Sequence, residues 1–483
     1  LTGNRFEGTL NVIWGDPRPG GTGGTTKFNL ALPNGTTVPL QVDPAEQNAT
    51  IQHFGKSVVV QGHSAPTPSG EPGIAVEQMT LAPNQSAAPA VVSGTRRVLF
   101  LLLRFKGDTQ QPHPAKFYRD LTNPLSPNEP TIPATINGFF NKTSWGKLKW
   151  QADVGGVGGL NPTTWLTLPH ARSYYTPTGW SSCCADLTAI QNDGLKLAKA
   201  QGINLAVYDN INFVLNNDLD CCAWGGSIVY NNKLYGATWE PPWGQETATY
   251  SHEQGHSIGL PHSGWVYYAY DSPWDVMSMA HLAAKSVKCA TYKSANSGNA
   301  TSTVFCDEPG DGYIAAHKDY LGWIPAANKV EINSKTTKTV TLEADALPLG
   351  KGIKMIKVCY KGVACTGSSA HYLTIEARIR GVQFDNGLTG DGVIIHDVQM
   401  NRSAISGKCY FNNQSGWAVP VDATPNDYNK TNCNSGGRTW PNYALGNAEF
   451  LAGKTYTNTA RHVTVKVVKK SGSAYVVQVS RTQ

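Results

Sequence analysis

The chain has 483 residues, 40% hydrophobic and only 15% charged, with 49 Gly and 29 Pro. That length exceeds one ordinary core and implies two to four domains; the composition excludes a disordered chain and favours turn-rich, β-leaning architecture. A formal net charge of +6 without a dense basic run excludes a nucleic-acid or membrane-surface patch, and the longest apolar run, Val98 to Leu103, is far short of the roughly 20 residues of a membrane span.

Leu1 opens the chain without a signal-type segment, so an export signal is expected to have been removed or left out. Ten cysteines, none before residue 183, fit disulfides better than thiolate metal sites, because the repeated C-x-x-C spacing is missing. Locality suggests pairing of the Cys183/Cys184 region with Cys221/Cys222, then Cys289–Cys306, Cys359–Cys365 and Cys409–Cys433. Sequons at Asn34, Asn48, Asn84, Asn141, Asn299, Asn401, Asn413 and Asn429 agree with a secreted, glycosylated chain, expected to be a monomer.

In chain order, residues 1–79 predict short strands at Gly8–Trp14, Thr25–Leu32, Thr37–Val42 and Lys56–Gln61, a small β-barrel or sandwich. Residues 80–95 form a Pro/Ala/Ser stretch without hydrophobic period and predict a linker. Over 96–327 the elements mix. Strands are predicted at Arg97–Phe105, Lys147–Val154, Asn210–Leu215 and Ser227–Tyr230, and helices at Ala185–Ala200 and Thr247–Ile258. Residues 328–483 predict strands only, several with one wet face, and so a C-terminal β-sandwich.

The chemistry concentrates in residues 251–264, Ser-His-Glu-Gln-Gly-His-Ser-Ile-Gly-Leu-Pro-His-Ser-Gly. On a helix, His252 and His256 project from one face and can reach one ion. Gly259 can take a positive φ, end the helix and return His262 to the same ion. Three neutral imidazoles leave a fourth tetrahedral position for water, the pattern of catalytic zinc. Zinc would lower the pKa of water toward about 7 and polarise a carbonyl, with Glu253 as the general base that carries the proton to the leaving amine. Met277, in Ser272-Pro273-Trp274-Asp275-Val276-Met277-Ser278-Met279, is expected as a soft floor beneath the histidines.

Together, H-E-x-x-H-x-x-G-x-x-H and the downstream Met turn resemble the metzincin clan of zinc peptidases. The segments 136–147, 317–323, 372–378 and 391–397 are similar to immune inhibitor A–type and gametolysin-type secreted metallopeptidases, and Phe6–Val60 to N-terminal β-modules of some gametolysin-like proteins. The resemblance implies an α+β fold: a metzincin-like catalytic domain, a twisted sheet plus helices, flanked by the N-terminal β-module and the C-terminal β-sandwich. It implies a secreted zinc endopeptidase acting on extended protein or peptide substrates laid along a sheet edge, with substrate-binding residues unassigned. The departures are His262, where immune inhibitor A–type chains often carry Asp, and Met279, where some metzincins place a functional Tyr. Tyr267, Tyr268 and Tyr270 are near enough to substitute, but packing roles are expected.

Three further readings complete the sequence picture. His396 is expected to be structural and His281 to stand outside the cleft, while 307–312 could hold calcium but reads first as a solvated turn. Cysteine-based latency is excluded for the first 182 residues, so an inhibitory N-terminal region would have to act through a carboxylate or by steric cover; a permanent module is slightly favoured. The competing function is a secreted binding or adhesive protein on a retired peptidase scaffold.

Overall fold

The computed structural model describes residues 4–18, 24–67, 70–86, 91–122, 135–176, 185–264, 270, 272–279, 285–293, 301–382, 384–388, 390–403, 416–423 and 448–483. The fold is mixed α and β, mostly strands. Strands β1 (Arg5–Pro17), β2 (Thr25–Ala31), β3 (Thr37–Gln41), β4 (Ser57–Pro66) and β5 (Pro72–Leu81) close a small barrel, each pairing with the next in the circuit β1-β2-β3-β5-β4-β1. Its interior is apolar, with Leu10, Val12, Phe28, Leu30, Leu40 and Val58 among the buried residues. The fifth strand was not expected, because Pro72–Leu81 lacks clean alternation. It also shortens the predicted linker: Thr80 and Leu81 close β5, and Gly94 and Thr95 open the next strand.

The middle sheet is built from β6 (Gly94–Arg104), β7 (Leu148–Gly156), β8 (Gly159–Leu160), β9 (Leu166–Thr167), β10 (Asn210–Leu215), β11 (Cys222–Tyr230) and β12 (Lys233–Glu240). Strands β12, β10, β6 and β7 run parallel, and β11 runs antiparallel beside β12. The apolar run in β6 follows from burial on both faces, as expected of a covered parallel strand. Val98, Phe100 and Leu102 pack with Phe117, Phe139, Tyr250 and Met277 on one side. Leu99, Leu101 and Leu103 pack with Ile190, Leu195 and Ala198 of the Leu187–Ala200 helix on the other. Each such buried side chain contributes roughly 1.5–3 kcal/mol.

The barrel and the middle sheet are not separated by their connecting chain. Strand β1 outruns the barrel and pairs along the outer side of β11, from Ile13 opposite Gly226 to Pro17 opposite Cys222, giving one 12-stranded sheet. Beyond it lie the paired strands β13 (Lys285–Lys293) and β14 (Thr301–Glu308). Further on are β15 (Lys329–Ile332), β16 (Thr336–Glu343), β17 (Met355–Cys359), β18 (His371–Arg378), β19 (Gly392–Gln399), β20 (Ala418–Pro420), β21 (Thr455–Asn458), β22 (Val463–Ser471) and β23 (Ala474–Arg481). They form two sheets, β15-β17-β18-β19-β20 and β16-β23-β22-β21, which share one apolar core.

Cys359 and Cys365 lie at disulfide distance, as locality suggests. Cys221 and Cys222 lie at disulfide distance from each other. Cys183, Cys184, Cys409 and Cys433, with the Cys289 and Cys306 side chains, lie outside the described residues, as do His281, Tyr267 and Tyr268. Asn48 is a sequon in sequence only: it is fully buried and its amide donates to the Arg402 carbonyl, which closes it to a glycan.

Candidate metal centre

The Thr247–Ser257 helix is buried along its whole length, which explains why no hydrophobic stripe marks it. His252 and His256 share a face, their Nε2 atoms 3.1 Å apart. The helix stops where Gly259 takes φ +93°, and the turn brings His262 Nε2 to 3.2 Å from His256 Nε2. Nδ1 of His252 lies 2.6 Å from the Val276 carbonyl and Nδ1 of His256 lies 2.7 Å from the Leu260 carbonyl. A carbonyl only accepts, so both Nδ1 atoms carry hydrogen, and in the neutral rings each Nε2 presents its lone pair. Met277 is buried below: a Cβ on Gly255 would collide with its sulfur.

A fourth donor comes from the far end of the chain. Asp16, near the end of β1, is 5% exposed and sets Oδ1 2.8 Å from His262 Nε2, with Oδ2 3.4 Å from His252 Nε2 and 3.3 Å from His256 Nε2. Burial alone would raise this carboxyl, but the charge that His262 and His252 carry when protonated holds it well below the usual range. Trp14, two residues earlier, stacks on the His256 ring with centroids 4.6 Å apart. The Tyr270 hydroxyl donates to Asp16 Oδ1. Tyr270 therefore touches the centre, where packing alone was expected.

Glu253 is buried beside the cluster, and neither oxygen has a donor among the described residues. It rests against β11 at a place where the strand carries no side chain: a Cβ on Gly225 would come within 2.6 Å of Glu253 Oε2. Burial, then the Asp16 charge, pushes its carboxyl well above the ordinary value. Glu240, at the end of β12, is a third buried carboxyl, raised first by burial and then by Asp16. His396 is buried away from this group, with its Nδ1 3.6 Å from Glu376; burial lowers it to about 3.

The donor set fits a divalent ion. Among the described residues, Asp16, His252, His256 and His262 offer atoms that all lie within 4.8 Å of one another. A tetrahedral site with metal–nitrogen bonds of about 2.0–2.1 Å has edges of about 3.3–3.4 Å. The observed nitrogen separations of 3.1 and 3.2 Å are close to that. Lone pairs converging at that distance in a dry interior repel unless a proton or a cation lies between them. Of the 307–312 segment, the Asp307 and Glu308 side chains lie outside the described residues, and Asp311 joins no such group of three or more among the described residues.

The structure thus brings His252, His256 and His262 together, with Glu253 buried on the same helix and Met277 packed against its Gly255. Asp16 and Glu240 escaped sequence reasoning, and Tyr270 was named there but assigned to packing. The only signal for Asp16 was indirect: without cysteine, an inhibitory N-terminal region would need a carboxylate or steric cover. Comparison with known protein families returns no match, and neither does comparison with curated proteins.

Proposed function

We propose that the chain is a secreted zinc-dependent endopeptidase of metzincin-like architecture. The observation that carries this reading is the convergence of three imidazole Nε2 atoms next to the buried Glu253 of the same motif. His252, His256 and His262 hold the ion, and the carbonyls of Val276 and Leu260 fix two of those rings in the ligating tautomer. The ion supplies Lewis acidity toward a carbonyl and lowers the pKa of water. Glu253 would be the general base that takes a proton from water and hands it to the leaving amine. Strand β11, antiparallel beside β12, pairs along its outer side with an extended segment, here Ile13–Pro17 of β1, and an extended peptide substrate would take that same side. Export agrees with the cysteine pairs at disulfide distance.

The test is metal content and cleavage together. Purified chain is expected to hold one zinc and to lose it on His256→Ala. Because Asp16 faces the three imidazoles, cleavage of casein is measured in an Asp16→Ala background. It should stop with a chelator, resume with zinc and be absent once Glu253→Ala is added. Zinc-loaded Asp16→Ala that cuts no peptide bond, or activity that survives Glu253→Ala, overturns the reading.

A further inference from the structure

We propose that the N-terminal barrel is a built-in inhibitor: β1 lies in the peptide lane of β11 in the manner of a bound strand, and Asp16 is the fourth ligand of the ion. The inference rests on the peptidase reading and goes beyond it, because it says what occupies the lane.

Three independent observations converge on it. The first is backbone register. β1 runs antiparallel to β11, with Trp14 opposite Gly225, Gly15 opposite Trp224 and Asp16 opposite Ala223. That is strand addition, in which main-chain pairing gives affinity and alternate side chains give specificity.

The second is steric fit. Gly15 lies against the Trp224 ring, where a Cβ would come within 2.5 Å, so this stretch of β1 is matched to its lane at the one position where a side chain would unseat it. On either side, Trp14 stacks on His256 and Asp16 faces all three imidazoles.

The third is anchoring. Residues 9–15 of β1 pair with β2, and residues 5–9 with β4, so the occupant is fixed to the barrel. Arg18, just beyond the lane, pairs with Asp218 at 3.0 Å.

A carboxylate delivered in cis competes at an effective concentration of roughly millimolar or more, which a peptide substrate in dilute solution does not match. Asp16 also completes four protein ligands, the closed arrangement of a structural rather than a catalytic site. The intact chain is therefore the resting form, and withdrawal of β1 from β11 opens it. The freed lane takes an extended peptide antiparallel to β11.

The deciding experiment loads the intact chain, Asp16→Ala and Asp16→Asn with cobalt(II) and follows the visible absorption as acetohydroxamate is added. Zinc-loaded samples are assayed on casein in parallel. The intact chain should keep its spectrum, while both variants shift on addition of the probe. Casein cleavage should rise about tenfold or more in Asp16→Ala, as expected when a cis competitor is removed. The isosteric Asn variant guards against a folding defect. A spectrum of the intact chain that responds to acetohydroxamate like the variants, or equal casein rates for intact chain and Asp16→Ala, overturns the inference and leaves the peptidase reading standing. Variants that open spectroscopically yet cut nothing sink the peptidase reading and leave Asp16 as the fourth ligand.

Discussion

The sulfur of Met277 occupies the place where a side chain on Gly255 would project from the motif helix. Glycine inside a helix ordinarily costs about 0.5–1 kcal/mol relative to alanine. Here the sign should reverse, since an added methyl must push the Met turn away, and overpacking of this kind costs about 1–3 kcal/mol. Gly255→Ala is thus expected to lower the thermal midpoint and to weaken zinc retention in a chelator competition. A variant more stable than the parent would show that Met277 yields freely.

Metal removal should destabilise the fold as well as silence it. Without a cation, the converging lone pairs of His252 and His256 face each other and His262 in a buried cluster. A ligand at a hundred times its Kd stabilises the native state by about 2.7 kcal/mol. Calorimetry with and without chelator should show a zinc-dependent rise in midpoint, and His256→Ala should abolish the difference. An unchanged midpoint in both proteins would mean that no ion binds.

What could be read from sequence follows the range of the contacts. His252, His256, Gly259 and His262 are fixed by helical period and one glycine, both local, so their meeting was legible. The strand over Val98–Leu103 was legible for the same reason, since an unbroken apolar run is local. Asp16 was not, because nothing near the end of a strand marks a carboxylate for an ion held by residues 252–262. Strand β12 was also missed, although Asn231 and Asn232 at φ 48° and 60° form the left-handed turn that leads into it. The boundary near residue 80 is real in composition, yet β1 crosses it in space, since strand pairing takes no account of linker chemistry.

Asp275 ties the Met turn to two other segments. Its Oδ2 accepts from Ser263 Oγ at 2.5 Å, next to His262, and lies 2.9 Å from His317 Nδ1; its Oδ1 accepts from the Met277 amide at 3.3 Å. Both Asp275 and His317 are fully buried. Removing the imidazole leaves the buried carboxyl with only its Ser263 and Met277 donors, a loss that typically costs about 1–3 kcal/mol. His317→Ala should therefore be destabilising, and its zinc should exchange faster than in an equally destabilised variant of the β22–β23 core. Equal exchange in the two would confine Asp275 to a structural role.

Asp397 gives the fold an acid limit that is independent of the metal. It accepts hydrogen bonds from His371 Nε2 and Arg402 Nη2, each at 2.8 Å, and from the Tyr360 hydroxyl at 3.2 Å. Burial opposes its charge, but the His371 and Arg402 partners lower it from the ordinary 3.8 to about 2. A depressed native carboxyl contributes stability that is complete above the unfolded value and is lost as the pH falls through the folded one. The window is thus about pH 4 down to about pH 2, and the shift corresponds to roughly 2 kcal/mol. Asp397→Asn should lose about that much at neutral pH and show a shallower decline in urea midpoint across the window. Parallel declines in the two proteins would place the acid sensitivity in another carboxyl, with Asp275 next to be substituted.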